Sequence, residues 1–217
     1  MKKGLTELVF ILDKSGSMAG LEADTIGGYN SMLTKQKEVD GECLITTVLF
    51  DNDYQLLHDR IDLKGVSAIT SKEYYVGGST ALIDAMGRTI HKIKNAQKNT
   101  LEDYRAEKVM FVIITDGEEN ASREYSSDKV KDLIEKQKSK YGWEFIFLGA
   151  NIDAVKTAGR FGIGADRAVD YLADKQGTAL NYRVMARTVT EFREKGNVDE
   201  ACFEEIRKDV KARGSKK

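Results

Sequence analysis

Two hydrophobic periods alternate along this chain. Residues 8–12, 44–50, 109–114 and 145–148 are continuously apolar or β-branched, as strands covered on both faces are. Between them lie longer stretches whose apolar residues recur at helical spacing, predicting helices at about 20–39, 81–99, 127–141, 153–160 and 176–195. In the second of these, Leu82, Ala85, Met86, Thr89, Ile90 and Ile93 form one stripe while Arg88, Lys92 and Lys94 face away. Strands alternating with helices predict an α/β fold with parallel strands joined by crossover helices. Asp51-Asn52-Asp53 reads as a turn into the short, less apolar Tyr54-Gln55-Leu56-Leu57, so an antiparallel hairpin is expected at one sheet edge. A last helix is expected over residues 200–210, running into a small, basic, frayed tail over 211–217. The expected organisation is one domain over residues 1–195, followed by a C-terminal helix and tail over 196–217.

Composition narrows the function. The 217 residues carry 34 Lys and Arg against 35 Asp and Glu, a formal charge of -1, so neither nucleic acid nor an anionic membrane is an expected partner. No apolar run approaches the roughly 20 residues that span a bilayer. The apolar start after Lys2-Lys3 is interrupted by Glu7 and stops at Asp13, which reads as a strand rather than a signal peptide. Two cysteines, Cys43 and Cys202, and two histidines exclude a disulfide scaffold and a zinc ribbon, and fit a reducing cytoplasm. The absence of proline rules out PxxP ligands and proline-rich linkers.

Open parallel sheets bind ligands outside the carboxyl ends of their strands, so those positions carry the candidate chemistry. The first strand ends in Asp13-Lys14-Ser15-Gly16-Ser17, one carboxylate and two hydroxyls at alternate positions with a glycine that lets the loop fold back. A later strand ends in Thr115-Asp116-Gly117, and Gly77-Gly78-Ser79-Thr80 brings another hydroxyl to the start of the helix at 81. Taken alone, Asp13 to Ser17 reads equally as a turn leading into a helix N-cap, Thr80 reads as a cap of the helix that starts at Ala81, and Asp116-Gly117 reads as a turn. Together they supply two carboxylates and three hydroxyls, hard oxygen donors suited to Mg²⁺, Ca²⁺ or Mn²⁺ and not to zinc.

Asp13, Ser15, Ser17, Thr80 and Asp116 resemble, position for position, the metal-ion-dependent adhesion site of the von Willebrand factor type A (vWA) domain. The resemblance covers about residues 5–170 and is similar to small stand-alone bacterial or phage members in the stretch Thr115 to Ser122. It implies a Rossmann-like, doubly wound, mostly parallel sheet with one antiparallel edge strand and helices on both faces. It implies Mg²⁺ held by those five residues, with Mn²⁺ or Ca²⁺ as substitutes, bridging to an exposed Asp or Glu of a protein partner. It also implies exchange between Thr-ligated and Asp-ligated states with movement of the C-terminal helix.

The leading expectation is therefore a metal-dependent protein-binding module without enzymatic activity. The alternative is a Mg²⁺-dependent phosphatase or phosphotransferase, with Asp13 as nucleophile and Lys14 as phosphate partner. A third reading is a scaffold whose metal only holds the loops together. His58 and His91 stand apart from any nucleophile, and Gly162-Ile163-Gly164 lacks the third glycine and the context of a dinucleotide fingerprint. Asp51-Asn52-Asp53 lacks the glycine and glutamate of a calcium loop. Asp84 reads equally as an acceptor behind the site or as an exposed charge, Glu118 and Glu119 as solvated loop charges in preference to restraints on Asn120 and the loop, and Trp143 as core or rim.

Overall fold

The computed structural model describes residues 1–214. Its strands are β1 (Lys2–Asp13), β2 (Cys43–Phe50), β3 (Tyr54–Asp62), β4 (Ala106–Thr115), β5 (Glu144–Gly149) and β6 (Ala168–Asp170). Its helices are α1 (Glu22–Lys37), α2 (Leu82–Asn99), α3 (Ser127–Tyr141), α4 (Ala154–Arg160), α5 (Lys175–Lys195) and α6 (Glu204–Arg213). The strands form one sheet in the order β3-β2-β1-β4-β5-β6, parallel throughout except for β3 at the edge. No helix among the described residues is long and apolar enough to cross a membrane.

Side chains alternate across a strand, and β1 divides its apolar residues accordingly. Leu8, Phe10 and Leu12 enter one core layer with Tyr29, Met32 and Leu33 of α1, Val184, Val189 and Phe192 of α5, and Ile206 of α6. Val9 and Ile11 enter the opposite layer with Leu82 and Ile90 of α2, Val130 and Ile134 of α3, and Ala154 and Ala158 of α4. Both faces of the sheet are thus covered, which explains why its strands are apolar without interruption.

Two features differ from the sequence expectation. β6 was not foreseen: at three residues it is too short to show a period, and it exists because residues 168–170 pair in register with 147–149 of β5. The last helix continues to Arg213, beyond the expected end at Val210, because the Arg213 guanidinium pairs with Asp209 one turn back and with Asp174 ahead of α5. The rest of the expected tail, residues 215–217, lies outside the described residues. Trp143, read from the sequence as core or rim, belongs to the core layer of α2 and α3, stacked on Phe111 with centroids 5.6 Å apart.

Two buried charges join elements distant in sequence. Arg193 of α5 lies against the last turn of α1, where its guanidinium donates to the carbonyls of Gln36, Val39 (3.1 Å) and Gly41 (3.1 Å). Gln36 lies in the last turn of α1, where carbonyls have no partner within the helix, Val39 and Gly41 follow that turn, and a cation there also complements the helix dipole. Glu7 of β1, fully buried, accepts from Arg60 Nε of β3 at 2.6 Å and from the Gln97 amide of α2. Burial raises the Glu7 carboxyl above its usual range and Arg60 opposes that rise. Removing one partner of such a pair strands a charge, whereas removing both does not. Arg60→Met is expected to cost about 3 kcal/mol in urea unfolding, and Glu7→Met combined with Arg60→Met to recover most of that loss. A double variant no more stable than the single one would show that the pair is not coupled.

Candidate metal centre

Asp13 ends β1 in a buried position, and its carboxylate is held from two sides. The Ser15 amide donates to Oδ1 at 2.7 Å, and the hydroxyl of Thr115, at the end of the neighbouring β4, donates to Oδ2 at 2.6 Å. The Tyr74 hydroxyl donates to the Asp13 carbonyl at 2.6 Å. The Asp13–Ser15 hydrogen bond turns the chain back on itself, and a short 3-10 turn over Gly16–Met18 continues the bend. Ser15 Oγ and Ser17 Oγ thereby come within 3.0 Å of each other, and Ser17 Oγ donates to Asp116 Oδ1 at 2.6 Å.

The loop carrying Thr80 is laid against this turn by two backbone bonds, Gly77 N to the Lys14 carbonyl at 2.9 Å and Gly16 N to the Gly78 carbonyl at 3.1 Å. Gly78 has φ +73, and a Cβ there would stand 2.1 Å from Asn52 Oδ1, so the loop needs glycine at this point. Gly117 is constrained from the other side: a methyl on it would lie 2.9 Å from Ser17 Oγ and 3.1 Å from Thr80 Oγ1. The structure therefore brings Asp13, Ser15, Ser17, Thr80 and Asp116 to one place.

Thr80 does not cap α2. That helix has Ala81 at its N-cap with no side-chain cap bond, and its first amides are satisfied by the loop after β4. Glu119 accepts from Ile83 N at 2.8 Å, Ser122 Oγ accepts from Asp84 N at 3.0 Å, and Asn120 Oδ1 accepts from Thr80 N at 3.0 Å. Glu119 is thus not the solvated charge expected, while Glu118 is exposed. Of the two roles expected of Asp84, it takes that of an acceptor: it accepts from the amides of Arg123, Glu124 and Tyr125 and so anchors the far end of the same loop. Sequence reasoning missed Tyr74, Thr115, Glu119, Asn120 and Ser122. Only the density of polar, cap-forming residues between 118 and 126 pointed to the last three.

The electrostatics of the cluster are one-sided. Burial raises the Asp13 carboxyl above its usual range, with hydrogen bonds from Ser15 and Thr115 opposing. Burial pushes the Asp116 carboxyl up to about 6, the Asp13 charge adds to the rise, and the Ser17 hydroxyl opposes it. Asp116 Oδ2 is buried and finds no hydrogen-bond partner among the described residues. The adjacent cation, Lys14, is itself buried and bonds Asp51 Oδ2 at 2.7 Å, with its amine 4.5 Å from the Tyr75 ring centre. No group of three or more His, Cys, Asp or Glu side chains among the described residues could hold a metal. A cation at this cluster would draw on hydroxyls as well as carboxylates, a donor set that fits a hard divalent ion.

No protein-family model matches the sequence, and no curated protein matches it either. Among solved structures, the von Willebrand factor type A protein from Catenulispora acidiphila is similar over 85% of this chain, with a TM-score of 0.57 and 15% sequence identity. The fold is that of a von Willebrand factor type A domain. Proximal thread matrix protein 1 from the mussel byssus, solved with a zinc-occupied MIDAS motif, is similar over 86% of this chain with a TM-score of 0.57 and 13% identity. The chain spans 42% and 46% of the lengths of these two structures. At such identities it is the fold that is shared.

In a vWA fold with this cluster, Asp116 is a group that weakens the metal-free protein. Its folded value lies above the unfolded one, so its carboxylate costs stability in full above about pH 6, and the cost is relieved as pH falls towards the ordinary carboxylate range. Asp116→Asn is therefore expected to raise the melting temperature at pH 7.5 in EDTA by a few degrees, at about 2–4 °C per kcal/mol for a chain of this size. The gain should shrink at pH 4, and a lower melting temperature at pH 7.5 would contradict the assignment.

Proposed function

We propose that this domain holds one divalent cation, Mg²⁺ in the first instance, through Asp13, Ser15, Ser17, Thr80 and Asp116, and uses it to capture an Asp or Glu side chain of a partner protein. The observation that carries the reading is the buried, unpartnered Asp116 Oδ2 in a cluster of five oxygen-bearing side chains, within which Ser15 bonds Ser17 and Ser17 bonds Asp116. A divalent ion would supply the positive charge that these two carboxylates lack. Because three of the five donors are neutral hydroxyls, the ion would keep enough charge to attract a carboxylate from outside. The zinc-occupied motif of the mussel byssus protein supports a divalent ion on this fold. The all-oxygen donor set here favours Mg²⁺ or Mn²⁺ over zinc. The two thiols, neither in a disulfide, accord with a cytoplasmic protein.

No observation favours phosphoryl transfer. Lys14, the candidate phosphate partner, is tied to Asp51, and Asp13 is held by Ser15 and Thr115. His58 bonds Thr47 at 2.9 Å and His91 bonds the Tyr125 hydroxyl at 2.9 Å, both away from the cluster. Neither histidine is therefore placed to act as a general base there. The proposed module is not an enzyme.

Calorimetry on EDTA-stripped, dialysed protein is expected to show one site for Mg²⁺ or Mn²⁺, abolished by Asp13→Ala and by Asp116→Ala. Metal affinity unchanged in both variants would end this reading.

Thr80→Ala separates metal from partner. The neutral Thr80 hydroxyl leaves more charge on the ion for an incoming anion than a carboxylate would. The variant is thus expected to keep Mg²⁺ affinity within about tenfold, or ~1.4 kcal/mol, while losing Mg²⁺-dependent, EDTA-reversible capture of acidic partners. Wild-type capture by Thr80→Ala, with loss in Ser17→Ala, would leave a static bridge without the exchange of ligands.

A further inference from the structure

At the opposite end of the sheet, a cavity of about 510 Å³ lies between the last turns of α2 and α3, near the amino ends of β4 and β5. Lys94 and Lys98 of α2 and Lys136 and Lys140 of α3 line its sides, and Ala106 and Trp143 contribute apolar surface. Arg105 is also in the wall, but its guanidinium is committed to the carbonyls of Thr100 and Lys98. Two carboxylates, Glu102 and Glu107, stand against these five cations, and Glu107 accepts from the Gly4 amide at 2.8 Å. Lys94, Lys98 and Lys136 form no salt bridge among the described residues. Gln137 also lines the cavity, is 1% exposed, and has a buried side-chain amide nitrogen without a hydrogen-bond partner.

Lysines near helix C-termini complement the helix dipole, and that alone would account for Lys98 and Lys140. It does not account for a donor buried without an acceptor, an arrangement that costs stability unless something is gained by it. A donor buried in the wall and several unpaired amines around it call for a ligand with several acceptor oxygens and more than one negative charge. A phosphate group meets that need, since one dianion can accept from lysines on both helices at once, and from the Gln137 amide once that side chain turns towards the cavity. The cavity is of the size that holds small organic ligands, and its apolar surface at Ala106 and Trp143 suits a carbon skeleton. We infer that this cavity is a binding site for a small phosphorylated organic molecule, independent of the metal centre at the other end of the sheet.

Trp143 is the chain's sole tryptophan and lines the cavity, so its emission reports on occupancy. The test titrates the full chain in EDTA, at physiological ionic strength, with phenyl phosphate, and in parallel with inorganic phosphate and with phenol. Phenyl phosphate is expected to give a saturable change in Trp143 emission with a dissociation constant below about 1 mM, inorganic phosphate to bind more weakly, and phenol not to saturate. Lys94→Glu with Lys136→Glu, on solvent-facing stretches of their helices, should weaken phenyl phosphate at least about tenfold. Gln137→Met should weaken it comparably while leaving the melting temperature equal or higher, because the variant removes an unsatisfied buried amide. The proposal is overturned if phenyl phosphate does not saturate, if phenol binds as well, or if the lysine reversals leave the titration unchanged. It is equally overturned if Gln137→Met lowers the melting temperature without weakening binding. Should Gln137→Met not fold, the lysine reversals alone decide the matter.

Discussion

The reversal of strand order between β1 and β4 is the constraint on which the carboxyl edge of this sheet depends. From β1 the chain passes through α1 to β2 on one side, and from β3 it passes through α2 to β4 on the other, so the two helices leave from opposite faces. Nothing regular can fill the gap between the two strand ends, and ligands of open α/β sheets bind at such points. Here the gap is lined by Asp13 from one strand and Thr115 and Asp116 from the other, linked directly by the 2.6 Å bond from Thr115 to Asp13. Because both strands are buried on both faces, these carboxylates are buried as well. Their charge is therefore expensive to keep and strong in its action on whatever approaches.

The loop after β4 shows how such a site is kept in shape. Its residues spend their polar groups on the amino end of α2: Glu119 on Ile83, Ser122 on Asp84, Asn120 on Thr80, with Asp84 returning three bonds to residues 123–125. This division of labour frees Thr80 from capping. It also ties the loop that follows Asp116 to the Thr80 backbone, through Thr80 N to Asn120 Oδ1 and through the amides of Asn120 and Ala121 to the Thr80 carbonyl.

Much of this was legible in the sequence, and the reason is local. The strands of the centre are covered on both sides and read as unbroken apolar runs, and the five oxygen-bearing residues sit where those runs end. The hairpin at residues 51–53 was legible because an Asx turn is a local event: Asp51 Oδ1 accepts from Asp53 N at 2.7 Å. What could not be read depends on partners far along the chain. Glu7 looks like an interruption in an apolar run until Arg60 is placed beside it, and β6 is defined only by the strand it pairs with. Asp84 and Glu119 look like solvated charges because the amides they hold are about 40 residues away.

Arg193 has a consequence for synthesis. Its grip on the carbonyls that end α1 spans 157 positions, and α5 supplies the apolar cover for Tyr29, Met32 and Leu33. On the ribosome, α1 is made early while its cover comes near the end of the described chain. Until then its apolar side, and the sheet face beneath, are open to solvent and to other nascent chains. Contacts this distant in sequence also slow the closing of the core. A chain stalled before α5 thus presents a half-covered sheet.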